Sequence, residues 1–156
     1  MFSQKKFGDR LHALRKEQKL ILEKFAEPLG VTKQAVGRWE KGERQPSLAL
    51  LSKIAESYKI STDYLLGLLD RREQMQQGEG QMFSPELLSE RIKLLRKQQG
   101  LTLEQFGVEI GVTKQTTSRW ETGLRQPSLE MLARIAEFYG VSTDYLLGLS
   151  DKRERM

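Results

Sequence analysis

Lys33, Gln34, Gly37, Arg38 and Lys41 stand at i, i+1, i+4, i+5 and i+8, a spacing that gathers them on one stripe of an α-helix, with Val36 and Trp39 on the opposite stripe. The second half of the chain repeats the stripe as Lys114, Gln115, Ser118, Arg119 and Thr122, opposite Thr117 and Trp120. Donors of this kind, with no carboxylate among them, suit the acceptor-rich floor of a DNA major groove, where Arg or Lys reads guanine and Gln reads adenine. A lone stripe equally describes a solvated helix face. What favours the groove is the turn before each stripe and the repetition of the whole arrangement.

Each stripe needs a helix that begins at a defined place. An apolar, helix-spaced segment runs into Leu29, Gly30 supplies a residue that turns without steric cost, and Thr32 is positioned to cap the next helix. The second copy places Gly111 and Thr113 in the same way. Around this pair, periodicity and punctuation predict about five helices per copy. The first covers about Gln4 to Gln18 with Phe7, Leu11 and Leu14 inward, and its counterpart opens with Ser84 as cap and Pro85 at the first helical position. Gly42 and Gly123 end the third helix, and Ser47 caps a fourth that turns Leu48, Leu51, Ile54 and Ala55 inward. A short fifth helix starts near Ser61 or Thr62 and is interrupted by Gly67. No useful length alternates with period two, so an all-α fold without sheet is expected.

The repeat register pairs Trp39 with Trp120, a shift of 81 residues, and carries Gly30, Pro46, Tyr58, Tyr64 and Gly67 onto Gly111, Pro127, Tyr139, Tyr145 and Gly148 without a gap. More than half of the aligned positions are identical. The register extends back to Met1-Phe2-Ser3 against Met82-Phe83-Ser84, which reads as the start of a gene duplicated and fused head to tail. The expected organisation is a first domain over residues 1–73, a polar, glycine-containing linker over 74–81, and a second domain over 82–156. About ten flexible residues reach roughly 35 Å when extended, close to the ~34 Å between successive major grooves on one face of DNA.

The chain's 26 Lys and Arg against 21 Asp and Glu give a net charge of +5, which favours an anionic partner. The charge is unequally placed: residues 1–73 hold 15 basic and 10 acidic residues, and residues 82–156 hold 11 and 10. Cysteine is absent, which removes a disulfide framework, a thiolate metal site and a cysteine nucleophile. The lone His12, whose counterpart is Lys93, reads as an exposed helix residue rather than a metal ligand or base. No histidine pair, phosphate-cradling glycine loop or nucleophile elbow is present, so neither catalysis nor a cofactor is expected. Apolar runs such as 64–69 are far shorter than the ~20 residues of a membrane span, and no secretory signal opens the chain, so a cytoplasmic protein is expected.

The run Phe25-Ala26-Glu27-Pro28-Leu29-Gly30-Val31-Thr32-Lys33-Gln34, then Arg38-Trp39-Glu40-Lys41-Gly42, Pro46-Ser47-Leu48 and Ser61-Thr62-Asp63-Tyr64-Leu65-Leu66-Gly67, resembles the phage-repressor-like (Xre-type) helix-turn-helix family of lambda and 434 repressor and Cro. The resemblance covers nearly the whole chain, once per copy. It implies two tandem five-helix domains and a transcriptional regulator, of repressor type, that reads two related half-sites on double-stranded DNA. It also implies that Thr32, Lys33, Gln34 and Arg38, with Thr113, Lys114, Gln115 and Arg119, face base edges and nearby phosphates. Lys41 and Ser118 belong to the same faces, and Arg44 and Arg125 in the following loops would hold phosphates. By the same resemblance Glu40 and Glu121 pair with Arg15 and Arg96 to orient the third helix. Homodimerisation is left open, and no small-molecule effector is indicated. The competing reading is an interaction module that binds a toxin, a polymerase subunit or a second copy of itself.

The chain departs from the family at four places. Leu22 and Leu103 replace the glutamine that often opens the second helix, and Pro28 stands inside that helix, where a kink is expected. Thr117 replaces an inward aliphatic and needs a partner for its hydroxyl if buried, and Gly37 costs about 1 kcal/mol relative to Ala in mid-helix. Arg71, Arg72, Lys152, Arg153 and Arg155 are read as solvated ends, and Trp39 and Trp120 as packing residues.

Overall fold

A computed structural model describes residues 1–72 and 81–154. The chain divides into two compact units, residues 1–75 and 76–156. Linker positions 74–80 and Arg155 lie outside the described residues. The first unit contains α1 (Gln4–Glu17), α2 (Leu22–Ala26), α3 (Lys33–Glu40), α4 (Leu48–Tyr58) and α5 (Thr62–Leu65). The second repeats them as α6 (Pro85–Gln98), α7 (Leu103–Ile110), α8 (Lys114–Thr122), α9 (Leu129–Tyr139) and α10 (Thr143–Leu147). Among the described residues there is no strand, as period-two alternation is missing. None of the helices there is long and apolar enough to cross a membrane.

The helix starts follow from local chemistry. Ser3, Thr32, Ser47 and Ser61, and likewise Ser84, Thr113, Ser128 and Ser142, each accept a hydrogen bond from the amide three residues on, which satisfies one of the donors orphaned at a helix amino terminus. Three helix ends differ between the units in ways the sequence explains. Pro28 has no amide to donate, so α2 stops at Ala26 and finishes as a 3-10 turn over Glu27–Leu29, whereas α7 runs unbroken to Ile110. Lys19 and Lys59 adopt left-handed backbone with φ of 57° and 56°, where the second unit has Gly100 and Gly140.

Each core is built from the same register. Phe7, Leu11, Leu14, Phe25, Trp39, Leu51, Ile54 and Leu65 are buried in the first unit, and Leu88, Ile92, Leu95, Phe106, Trp120, Leu132, Ile135 and Leu146 in the second. Burying one such side chain contributes roughly 1.5–3 kcal/mol. In each unit the third helix packs on the first and second, and the fifth closes against the first and fourth.

An arginine clamp that sequence reading did not single out holds the fifth helix. The Arg10 guanidinium lies 4.1 Å from the ring centre of Tyr64 and donates to the carbonyls of Tyr64 and Leu69, the latter at 2.8 Å. Arg91 repeats this against Tyr145, donating to the carbonyls of Tyr145 and Ser150. Two of the arginines read as solvated ends are anchored as well. Arg72 pairs with Glu17, and Arg153 donates to Gln98 Oε1 at 3.0 Å, so the segment after the fifth helix is tied to the end of the first.

Candidate nucleic-acid interface

The helix pair that presents the polar stripe is built the same way twice. Gly30 at φ 70° and Gly111 at φ 89° turn the chain after the second helix. Thr32 Oγ1 then accepts from the Ala35 amide at 3.1 Å, and Thr113 Oγ1 from the Thr116 amide at 3.2 Å. Trp39 and Trp120 are both 4% exposed, which places them in the core and turns the stripe outward.

Thr32, Lys33, Gln34, Arg38, Lys41 and Arg44 are all exposed, as are Thr113, Lys114, Gln115, Arg119 and Arg125; Ser118 is partly buried. Among the described residues, none of the stripe cations Lys33, Arg38, Lys41, Lys114 and Arg119 has an acidic partner, nor have Arg44 and Arg125. The loop arginines are brought to the stripe by the backbone. The Arg44 amide donates to the Arg38 carbonyl at 3.4 Å, and the Arg125 amide to the Arg119 carbonyl at 3.2 Å. Thr122 does not join the donor row, because its hydroxyl turns back to the Ser118 carbonyl at 2.9 Å.

Behind the stripe, each third helix is anchored at its far end by an ion pair. Arg15 Nε lies 2.7 Å from Glu40 Oε2 and Arg96 Nε 2.7 Å from Glu121 Oε2, with all four side chains 12% exposed or less. Each arginine also donates to a backbone carbonyl, Leu20 at 2.8 Å and Leu101 at 2.7 Å. Hydrogen bonding to Glu40 holds the Arg15 guanidinium above its ordinary pKa, and Glu121 does the same for Arg96. Burial would raise the Glu40 carboxyl, but hydrogen bonds from Arg15 and His12 outweigh it and hold Glu40 below the usual carboxylate range. His12 is exposed as expected, yet it is not free of partners, since its Nδ1 lies 2.6 Å from Glu40 Oε1. The buried Thr117 hydroxyl finds its partner in the Leu103 carbonyl at 3.0 Å. Among the described residues the buried Tyr139 hydroxyl has no hydrogen-bond partner, and burial pushes its pKa up.

Two helices bent at a glycine, the second showing an outward row of lysine, glutamine and arginine, define a helix-turn-helix domain present twice. The helix-turn-helix family model matches residues 11–65 and again residues 92–146, and the chain belongs to that family. It is 40% identical over 62 residues to the uncharacterised HTH-type transcriptional regulator YobD of Bacillus subtilis, an alignment covering 40% of this chain and 55% of the relative. It is 34% identical over 65 residues to the HTH-type transcriptional regulator AnsR of the same organism, covering 42% and 56%. With the HTH-type transcriptional repressor RghR, also of Bacillus subtilis, identity is 39% over 61 residues, covering 38% and 45%. The chain thus spans about half the length of the curated relatives it matches. No solved structure matches it.

Proposed function

We propose that this chain is a sequence-specific, double-stranded-DNA-binding transcriptional regulator of repressor type, acting in the cytoplasm, whose two linked helix-turn-helix units read two related half-sites. The observation that carries this reading is the row of exposed cations without acidic partners on both third helices, in a chain whose buried and half-buried arginines, Arg10, Arg15, Arg91 and Arg96, are all engaged among the described residues. In this reading residues 1–73 and 82–156 are the two domains and residues 74–81 the tether. Thr32, Lys33, Gln34 and Arg38 face one groove, and Thr113, Lys114, Gln115, Ser118 and Arg119 the other. Lys41, Arg44 and Arg125 lie against phosphates. The relatives named as transcriptional regulators and as a repressor support the same assignment.

Titrating the chain with random duplexes and with fragments selected from a random duplex pool, at several salt concentrations, tests it. The expected result is a salt-dependent baseline on every duplex plus a sequence-dependent excess on the selected ones. Binding to neither would leave the interaction module as the better account. Cleavage within residues 74–81 should lower apparent affinity by about 10²–10⁴-fold, as the second unit loses its effective concentration. Separated units that bind as tightly as the whole would overturn the two-half-site reading.

A further inference from the structure

The two units hold their third helix through different side-chain contacts. In the first, fully buried Val36 packs from the inner side of α3. In the second, the matching Thr117 is also fully buried, with Oγ1 3.0 Å from the carbonyl of Leu103, the first residue of α7, and 2.9 Å from the carbonyl of Lys114 in its own helix. A hydroxyl has one proton, so the two carbonyls share it. The bond to Lys114 is the ordinary backward contact of a helical threonine. The bond to Leu103 crosses between helices and pins the first turns of α8 to the amino end of α7.

That end of α7 is itself fastened. Thr102 and Gln105 form a reciprocal capping box, and the Thr113 and Thr116 hydroxyls exchange a hydrogen bond at 3.0 Å at the start of α8. The first unit lacks these ties. Ile21 offers no side-chain cap to α2, Pro28 ends it in a 3-10 turn, and α3, although continuous, carries Gly37 in its interior. An open cleft of about 500 Å³, lined by Glu23, Ala26, Glu27, Val31, Thr32 and Lys33, lies between α2 and the amino end of α3. Charge runs the other way, since the first unit carries nearly all of the excess positive charge.

Discrimination between base pairs needs donors held in place before contact, because ordering them on binding subtracts from the gain. Attraction to phosphates tolerates slack, as it is long-ranged and sequence-independent. We propose that Thr117 is a positioning residue that keeps α8 in its reading register, so that the second unit is the main sequence discriminator and the first supplies most of the sequence-independent affinity. The inference rests on the DNA-reading function proposed above. Thr117 does not touch DNA; it acts through Lys114, Gln115 and Arg119.

The test uses the full chain with a pool-selected duplex and a scrambled duplex of the same length. Thr117→Val keeps the shape and removes the hydroxyl, whereas Thr117→Ser keeps the hydroxyl. Thr117→Val should lower the ratio of selected to scrambled affinity by about three- to tenfold, the worth of one neutral hydrogen bond, with scrambled binding and its salt slope unchanged. Thr117→Ser should retain the ratio, and Arg119→Ala should lower it more than Arg38→Ala. In the free chain, amide exchange over 114–122 should quicken in Thr117→Val and not in Thr117→Ser. A chain that remains equally selective as Thr117→Val, or loses affinity equally on both duplexes, would overturn the inference while leaving DNA reading intact. A wild-type chain that binds all duplexes alike would overturn the DNA reading and this inference with it. Unchanged exchange in Thr117→Val would show that the inter-helix bond does not hold α8, and would overturn the inference without any reference to DNA.

Discussion

Arg96 grips Glu121 through two parallel bonds, Nε to Oε2 at 2.7 Å and Nη2 to Oε1 at 2.9 Å, and thereby fastens the carboxyl end of α8 to α6. Arg15 and Glu40 do the same between α1 and α3. Both pairs are largely withdrawn from water, so removing one partner strands a buried charge. Glu121→Ala should therefore destabilise the second unit by ~3–5 kcal/mol in denaturant unfolding. The double change Arg96→Met with Glu121→Leu should recover most of that loss, because no charge is left unpaired.

Glu40 gives the first unit a sensitivity to acid. Its carboxyl titrates below the ordinary range in the folded state, so the stability it confers is complete above the unfolded value of about 4.3 and is lost as pH falls through the lower folded value. His12→Ala removes one of the hydrogen bonds holding it down, so the Glu40 midpoint should move upward towards the ordinary value, as followed by carboxyl carbon chemical shift.

Two glycines in helices of the first unit should respond with opposite sign. A Cβ on Gly8 would lie 2.5 Å from the Glu40 carbonyl oxygen and 2.9 Å from that of Trp39, both backbone atoms that cannot swing aside. Gly8→Ala should destabilise by about 1–3 kcal/mol despite its better helix propensity. A Cβ on Gly37 would meet only Leu22 Cδ1 at 3.8 Å, so Gly37→Ala should stabilise by about 1 kcal/mol. Thermal unfolding of the two variants distinguishes them.

On DNA, Arg38→Ala and Arg119→Ala should each weaken binding to selected duplexes by about 1–3 kcal/mol and relax preference at one base pair. Lys41→Ala should weaken all sequences alike and reduce the salt slope by about 1, the signature of a phosphate contact. Fluorescence anisotropy titrations with single-position duplex variants separate the two behaviours.

Features written in neighbouring residues are legible in the sequence itself. Gly30, Thr32, Ser47 and Gly42 act on the backbone within a few positions, and Trp39 declares its inward stripe by helical spacing. Long side chains that reach distant carbonyls leave no such periodic trace. Arg10 finds Leu69 across 59 positions, and Arg72 finds Glu17 across 55, so along the chain both resemble ordinary surface charge. One hint is present: Arg10 and Tyr64 recur together as Arg91 and Tyr145, while neighbours such as His12 and Ala13 do not recur. For Thr117, spacing shows that a buried hydroxyl would need a partner, but the identity of that partner depends on how close α7 and α8 approach.

The tight contact at Gly8 bears on how a chain with two homologous halves sorts itself during folding. The second unit carries Ser89 where the first has Gly8. If α6 docked in place of α1 on α3, its serine Cβ would fall where 2.5 Å separates it from the Glu40 carbonyl, a collision between unyielding atoms. Mispairing of sibling halves is a standing hazard of tandem repeats. The same added carbon at Gly8 costs about 1–3 kcal/mol, so the wrong partnership is disfavoured by that much in this direction, and shape adds to nearness along the chain in matching the halves.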